Sequence, residues 1–99
     1  SLLLINKYLD ENKLPTPCLV MDLSLIEKFY NKLQNAFPKS KIYYAVKANS
    51  APEILNCLKK SGSYFDVSSK KEIEICLKQS IFLITFLQCS QDFCNLVIQ

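Results

Sequence analysis

Lys47 closes the run Ile42-Tyr43-Tyr44-Ala45-Val46, in which every side chain is apolar or aromatic. An amine at the end of such a segment has two possible environments. If it is dry, desolvation disfavours the ammonium, lowers the pKa and leaves a neutral nucleophile that can condense with a carbonyl. A covalent bond to an aldehyde group would then remove the cost of burying it. If it is wet, the aliphatic stem crosses the strand rim and the ammonium stays in solvent. Two carboxylates follow where proton chemistry could use them. Asp66 sits inside the next apolar run, Tyr64-Phe65-Asp66-Val67, and Glu72 lies three residues after Ser69. A carboxylate near an amine favours its protonated form and shapes proton transfers. Each also has a purely structural reading. Asp66 can be a strand-end residue leading into a helix, and Glu72 can be the partner of Ser69 in a Ser-x-x-Glu capping box.

The elements that must position these residues are legible from periodicity. Leu2, Ile5 and Leu9 have helical spacing, so a short helix is expected from Leu2 to Asn12. Pro15 and Pro17 stop it, and Cys18-Leu19-Val20-Met21 reads as a buried strand. Ser24 with Glu27 forms a capping box, and the helix it opens ends at Pro38. Ile42 to Val46 is apolar on both faces, as in a parallel sheet covered on both sides. Ser50 with Glu53 forms a second capping box, and with Pro52 in the first turn it predicts a helix ending at Gly62. Tyr64 to Val67 is the next strand, and Ser69 with Glu72, a third capping box, opens a helix carrying Ile73, Cys76 and Leu77. Three strand-then-helix units in series predict parallel strands with helical crossovers. With a period of two, Lys47 shares a face with Ala45 and Tyr43, opposite Tyr44 and Val46. In a barrel one of those faces is the interior, and the C-terminal strand ends form the working rim.

Composition excludes several classes. The chain has 99 residues and a net charge of +3, and all of its 12 basic residues are lysines spread along it. Nucleic-acid surfaces use the planar fork of arginine, so no nucleic-acid partner is expected. The 5 cysteines (Cys18, Cys57, Cys76, Cys89, Cys94) have wide spacings and there is no histidine, so no metal site is expected. Reduced thiols fit a cytoplasmic setting. No run approaches the roughly 20 apolar residues of a membrane span, and no membrane association is expected.

Tyr44-Ala45-Val46-Lys47-Ala48-Asn49 is similar to the cofactor-lysine motif of the fold-type III pyridoxal phosphate (PLP) decarboxylases, which act on ornithine, lysine, arginine or diaminopimelate. Thr16-Pro17-Cys18-Leu19-Val20-Met21-Asp22 resembles that family's opening strand. Phe65-Asp66-Val67-Ser68-Ser69-Lys70-Lys71-Glu72-Ile73 resembles its second barrel strand and the following helix, closest to the ornithine-type wording. Alanine racemases carry a similar Val-Lys-Ala-Asn, but three motifs in order, from Thr16 to Lys78, are specific. The resemblance implies the opening βα units of a PLP-binding (β/α)8 barrel, an α/β fold of which this chain holds an incomplete part, since a whole barrel needs about 250 residues.

The resemblance further implies that Lys47 holds PLP covalently, that Asp66 lies near it, and that Ala45 and Glu72 line the cofactor site. Ala45 fits strand packing equally, and Asn49 fits turn chemistry. The implied reaction is decarboxylation of a basic amino acid, first of all ornithine, giving putrescine for polyamine synthesis, by an enzyme that works as a homodimer on a small-molecule substrate. Diaminopimelate decarboxylase is the close alternative. A non-catalytic fragment that binds a full-length decarboxylase, and a racemase-type barrel, are the others. Residues 1–23 then form an N-terminal helix and opening strand, and 24–79 the first barrel units. Residues 80–99 form a divergent tail, with Asp92 its single charge, where the resemblance ends and a shifted reading frame is one explanation.

Overall fold

The computed structural model describes residues 2–81 and the backbone of residues 86–88. Helix α1 (Leu2–Glu11) forms as its spacing predicts, yet none of its residues is buried. Beyond a cis Thr16–Pro17 peptide the chain runs without regular structure to Asp22. The strand expected over Cys18–Met21 does not form, and Leu19 is 79% exposed. Apolar character alone does not make a strand. A ladder partner is needed, and among the described residues this segment pairs with no strand of the sheet, whose order is β1-β2-β3.

Helix α2 (Leu23–Ala36) is capped by Asp22, not by Ser24. The Ser24 backbone N–H donates to Asp22 Oδ1 at 2.9 Å, and the Ser24 hydroxyl donates to the same oxygen. A charged carboxylate at the end of the helix dipole, placed ahead of Ser24, takes the capping role before the expected Ser24–Glu27 box can form. Strand β1 (Tyr43–Ala45) is shorter than expected, and Val46–Ala48 instead make one 3-10 turn. Helix α3 (Pro52–Ser61) lacks the expected Ser50 cap as well. Pro52 occupies its first position, where no N–H needs a partner. Asn49 Oδ1 accepts the Ala51 N–H at 3.0 Å and sets the approach. Gly62, at φ +93°, ends the helix. The Gly62 N–H donates to the Lys59 carbonyl and the Ser63 N–H to the Leu58 carbonyl, each at 3.0 Å, the two bonds of a Schellman motif.

Strand β2 (Tyr64–Val67) matches its sequence reading and runs parallel to β1, with Tyr43 opposite Tyr64, Tyr44 opposite Phe65 and Ala45 opposite Asp66. Helix α4 (Lys70–Lys78) opens on the one capping box that forms as expected. Glu72 N–H donates to Ser69 Oγ at 3.2 Å, and Ser69 Oγ donates back to Glu72 Oε2 at 2.9 Å. Strand β3 (Phe86–Gln88) then pairs parallel with β2. Among the described residues there are therefore two complete βα units and a third parallel strand; the unit expected to open on Cys18–Met21 lacks its strand. Phe65 and Val67 alternate inward on β2 and, with Val46, Leu55, Ile73 and Cys76, form the fully buried core between the sheet and its helices. Side-chain alternation leaves Tyr43, Ala45, Tyr64 and Asp66 on the other face.

Candidate active site

That second face has an aromatic end and a small, acidic end. At the start of the strands the Tyr43 and Tyr64 rings lie 5.2 Å apart, and Lys41 Nζ stands 5.3 Å from the Tyr64 centroid. At the C-terminal end Ala45 and Asp66 are register partners. Neighbouring strands are about 4.8 Å apart, so these two side chains are adjacent. Both residues are half-buried.

Lys47 lies in the 3-10 turn just beyond Ala45, not on the strand itself, and it is exposed. Of the two environments open to this amine, the described residues give it the wet one. Dryness at this edge requires a closed barrel interior, and three strands leave the face open. The turn that carries Lys47 is held at both ends. The Tyr44 hydroxyl donates to the Asn49 carbonyl at 2.9 Å, while Asn49 Oδ1 accepts the Ala51 N–H.

Glu72 sits past the end of β2, in the first turn of α4. The Ser68 hydroxyl donates to its Oε2 at 2.8 Å, beside the Ser69 hydroxyl. Its other oxygen, Oε1, is buried with no hydrogen-bond partner among the described residues. A buried carboxylate oxygen without a donor is costly unless something fills the place. Lys47, Ala45, Asp66 and Glu72 are thus all at the C-terminal ends of parallel strands or in the segments that directly follow, and Ala45 and Asp66 are brought side by side.

Two contributors carry little sequence signal. Ser68 stands in a recognisable motif, but its bond to Glu72 needs the strand-to-helix turn to be built. Tyr44 reads as one more aromatic in a buried strand, because its hydroxyl partner is a backbone carbonyl that only the fold brings near. Cys57 and Cys76 lie on α3 and α4; Cys76 is buried and Cys57 is half-buried, its thiol 3.5 Å from the Leu23 carbonyl.

Comparison with known proteins identifies the family and the fold. Residues 23–82 match the family described as pyridoxal-dependent decarboxylase, pyridoxal binding domain. A lysine/ornithine decarboxylase of Selenomonas ruminantium is 44% identical over 63 residues, 64% of this chain and 16% of the relative. An ornithine decarboxylase of Candida albicans is 44% identical over 62 residues, 63% of this chain and 13% of the relative. The crystal structure of lysine decarboxylase from Selenomonas ruminantium superposes with a TM-score of 0.75 at 34% identity, covering 83% of this chain and 22% of that one. The chain thus spans about one sixth, or less, of the length of these curated relatives. Its two βα units and third parallel strand are part of a PLP-binding barrel, and the chain belongs to the pyridoxal-dependent decarboxylase family.

Proposed function

We propose that this chain is the PLP-carrying segment of an enzyme that decarboxylates a basic amino acid, with ornithine as the substrate and Lys47 as the residue bonded to the cofactor. The observation that carries this reading is an accessible primary amine at the C-terminal end of a parallel strand, next to the Ala45–Asp66 pair. The residues present fit the cofactor. Lys47 offers the amine, Ala45 a small side chain, Asp66 a carboxylate at the same rim, and Glu72 a buried oxygen still without a donor among the described residues.

When bound, PLP supplies an electron sink for the pair left behind as carbon dioxide departs. Lys47 would hold the cofactor through Nζ and would carry a proton at that atom when it is free. Asp66 presents a carboxylate at the same rim, on the strand paired with the one that leads into Lys47. Ser68 and Ser69 fix Glu72 through Oε2 and leave Oε1 as an acceptor for a donor arriving at the rim. Ornithine is supported by the wording from Phe65 to Ile73 and by the names of two relatives, one of which also names lysine.

The test places residues 23–82 into the Selenomonas ruminantium relative in exchange for its matching segment. The chimera is expected to release putrescine faster than cadaverine, and to lose both activities on Lys47→Ala. Borohydride treatment with PLP, followed by peptide mass analysis, should leave the phosphopyridoxyl group on Lys47. A label on other lysines, or an active Lys47→Ala chimera, defeats the assignment. A preference for lysine defeats the choice of ornithine alone.

A further inference from the structure

We propose that Tyr44 is a positioning residue for Lys47, its hydroxyl bracing the turn that carries the amine against Asn49. The inference rests on the role of Lys47 given above. The Tyr44 hydroxyl reaches the Asn49 carbonyl at 2.9 Å and so ties the chain before Lys47 to the chain after it. A single 3-10 turn has poor hydrogen-bond geometry and does not hold itself rigidly. Lys47 is exposed, so packing of its own side chain does not hold the turn either. Both ends of the brace are themselves anchored. The Tyr44 ring meets Phe65 edge-on, with centroids 6.5 Å apart and planes at 84°, and the two residues are register partners. Asn49 is tied to the start of α3 through Ala51 at 3.0 Å. By strand alternation Tyr44 lies on the core face, opposite Ala45 and Asp66. It therefore acts through the backbone and not on the cofactor. Phenylalanine would fill the same space, so the hydroxyl is what needs explaining. Burial raises the pKa of that hydroxyl, so it stays a donor across the neutral range.

The experiment compares the 99-residue chain with its Tyr44→Phe and Ala48→Gly variants. The first removes only the hydroxyl, and the second loosens the same turn with the hydroxyl in place. Amide hydrogen exchange at Val46 to Asn49 should speed up roughly five-fold in Tyr44→Phe, the effect of one net hydrogen bond. Exchange in α3 and α4 should not change. With PLP and borohydride, the ratio of label on Lys47 to label on the other lysines should fall by a similar factor in both variants. Lost site selectivity at an unchanged melting midpoint is something a merely structural tyrosine does not produce. Unchanged turn exchange and unchanged selectivity in Tyr44→Phe overturn the proposal. If Tyr44→Phe lowers the melting midpoint, Ala48→Gly decides: retained selectivity overturns the proposal, and lost selectivity upholds it. If the parent chain does not favour Lys47, the cofactor assignment is judged by the chimera described above, and the exchange rates alone judge the brace: unchanged turn exchange in Tyr44→Phe overturns it.

Discussion

The thiol of Cys76 is fully buried against the core, and that burial, followed by the charge of Glu72 one turn earlier, pushes its pKa up to about 11. The fold therefore favours the protonated thiol. An unfolded cysteine ionises near 8.5. Stability from this group is fully present below that pH and is lost as pH rises towards and through 11. Two tyrosines, Tyr30 and Tyr44, are raised chiefly by burial and act in the same direction at higher pH. Urea midpoints between pH 7 and 10.5 should fall more steeply for the parent than for Cys76→Ala, by on the order of 2 kcal/mol across the window. Equal slopes would show that the thiol is not desolvated. At the site the residue scale was partly legible. A lysine ending an apolar run and a carboxylate in the next run are visible as letters. The exposure of Lys47 was not, because burial at a strand end depends on strands outside this one.

Helix ends divide the element-scale readings into those that held and those that did not. Ser69 caps α4 while the neighbouring Ser68 hydroxyl is engaged with Glu72 Oε2, whereas Asp22 displaces Ser24, and Pro52 with Asn49 removes the need for Ser50. Ser69→Ala should lower stability by about 1 kcal/mol in thermal or urea unfolding, and restoration by Ser69→Asp would identify capping as the cause. The C-terminal ends of α3 and α4 share one device. After α4 the Ser80 N–H donates to the Leu77 carbonyl at 3.0 Å and the Ile81 N–H to the Cys76 carbonyl at 3.1 Å. These are the same two bonds that Gly62 and Ser63 make after α3, but Ser80 sits at φ +56° where glycine is the unstrained choice. A left-handed residue with a Cβ costs about 1 kcal/mol, so Ser80→Gly should raise the unfolding midpoint and Gly62→Ala should lower it. The Cβ added at Gly62 would meet nothing closer than the Tyr30 hydroxyl at 4.0 Å, so the loss there is conformational and not steric. An unchanged midpoint in both variants would remove backbone strain as the explanation.

At the scale of the whole molecule, the chain is an open slab. Its radius of gyration is 15.9 Å, above the roughly 13 Å of a compact domain of this length. Phe29, Leu33 and Phe37 form a stripe along α2 that is 61%, 47% and 58% exposed. Exposed apolar area of this kind drives association. The isolated chain is expected to sediment as concentration-dependent oligomers. Phe29→Lys with Phe37→Lys should shift it towards monomer with little change in melting midpoint. A strictly monomeric parent chain would contradict this. The divergent tail read from residue 80 lies largely outside the described residues, apart from Ser80, Ile81 and the β3 backbone. β3 pairs in parallel next to β2, as the next strand of a barrel would.

Local chemistry was determined by the sequence alone. The alternation of apolar runs and helical stripes, the Gly62 stop, the Ser69–Glu72 cap and the facing of Ala45 with Tyr43 all follow from rules acting over a few residues. Tertiary structure decided everything that needs a neighbour. Leu19 stays exposed because no strand pairs with it, Ala45 meets Asp66 because parallel register aligns them, and Tyr44 finds Asn49 because a tight turn folds one towards the other. The physical reason is range. Propensity and capping are settled within one helical turn, whereas burial, pairing and hydrogen-bond partners are set by chain segments that meet only after folding.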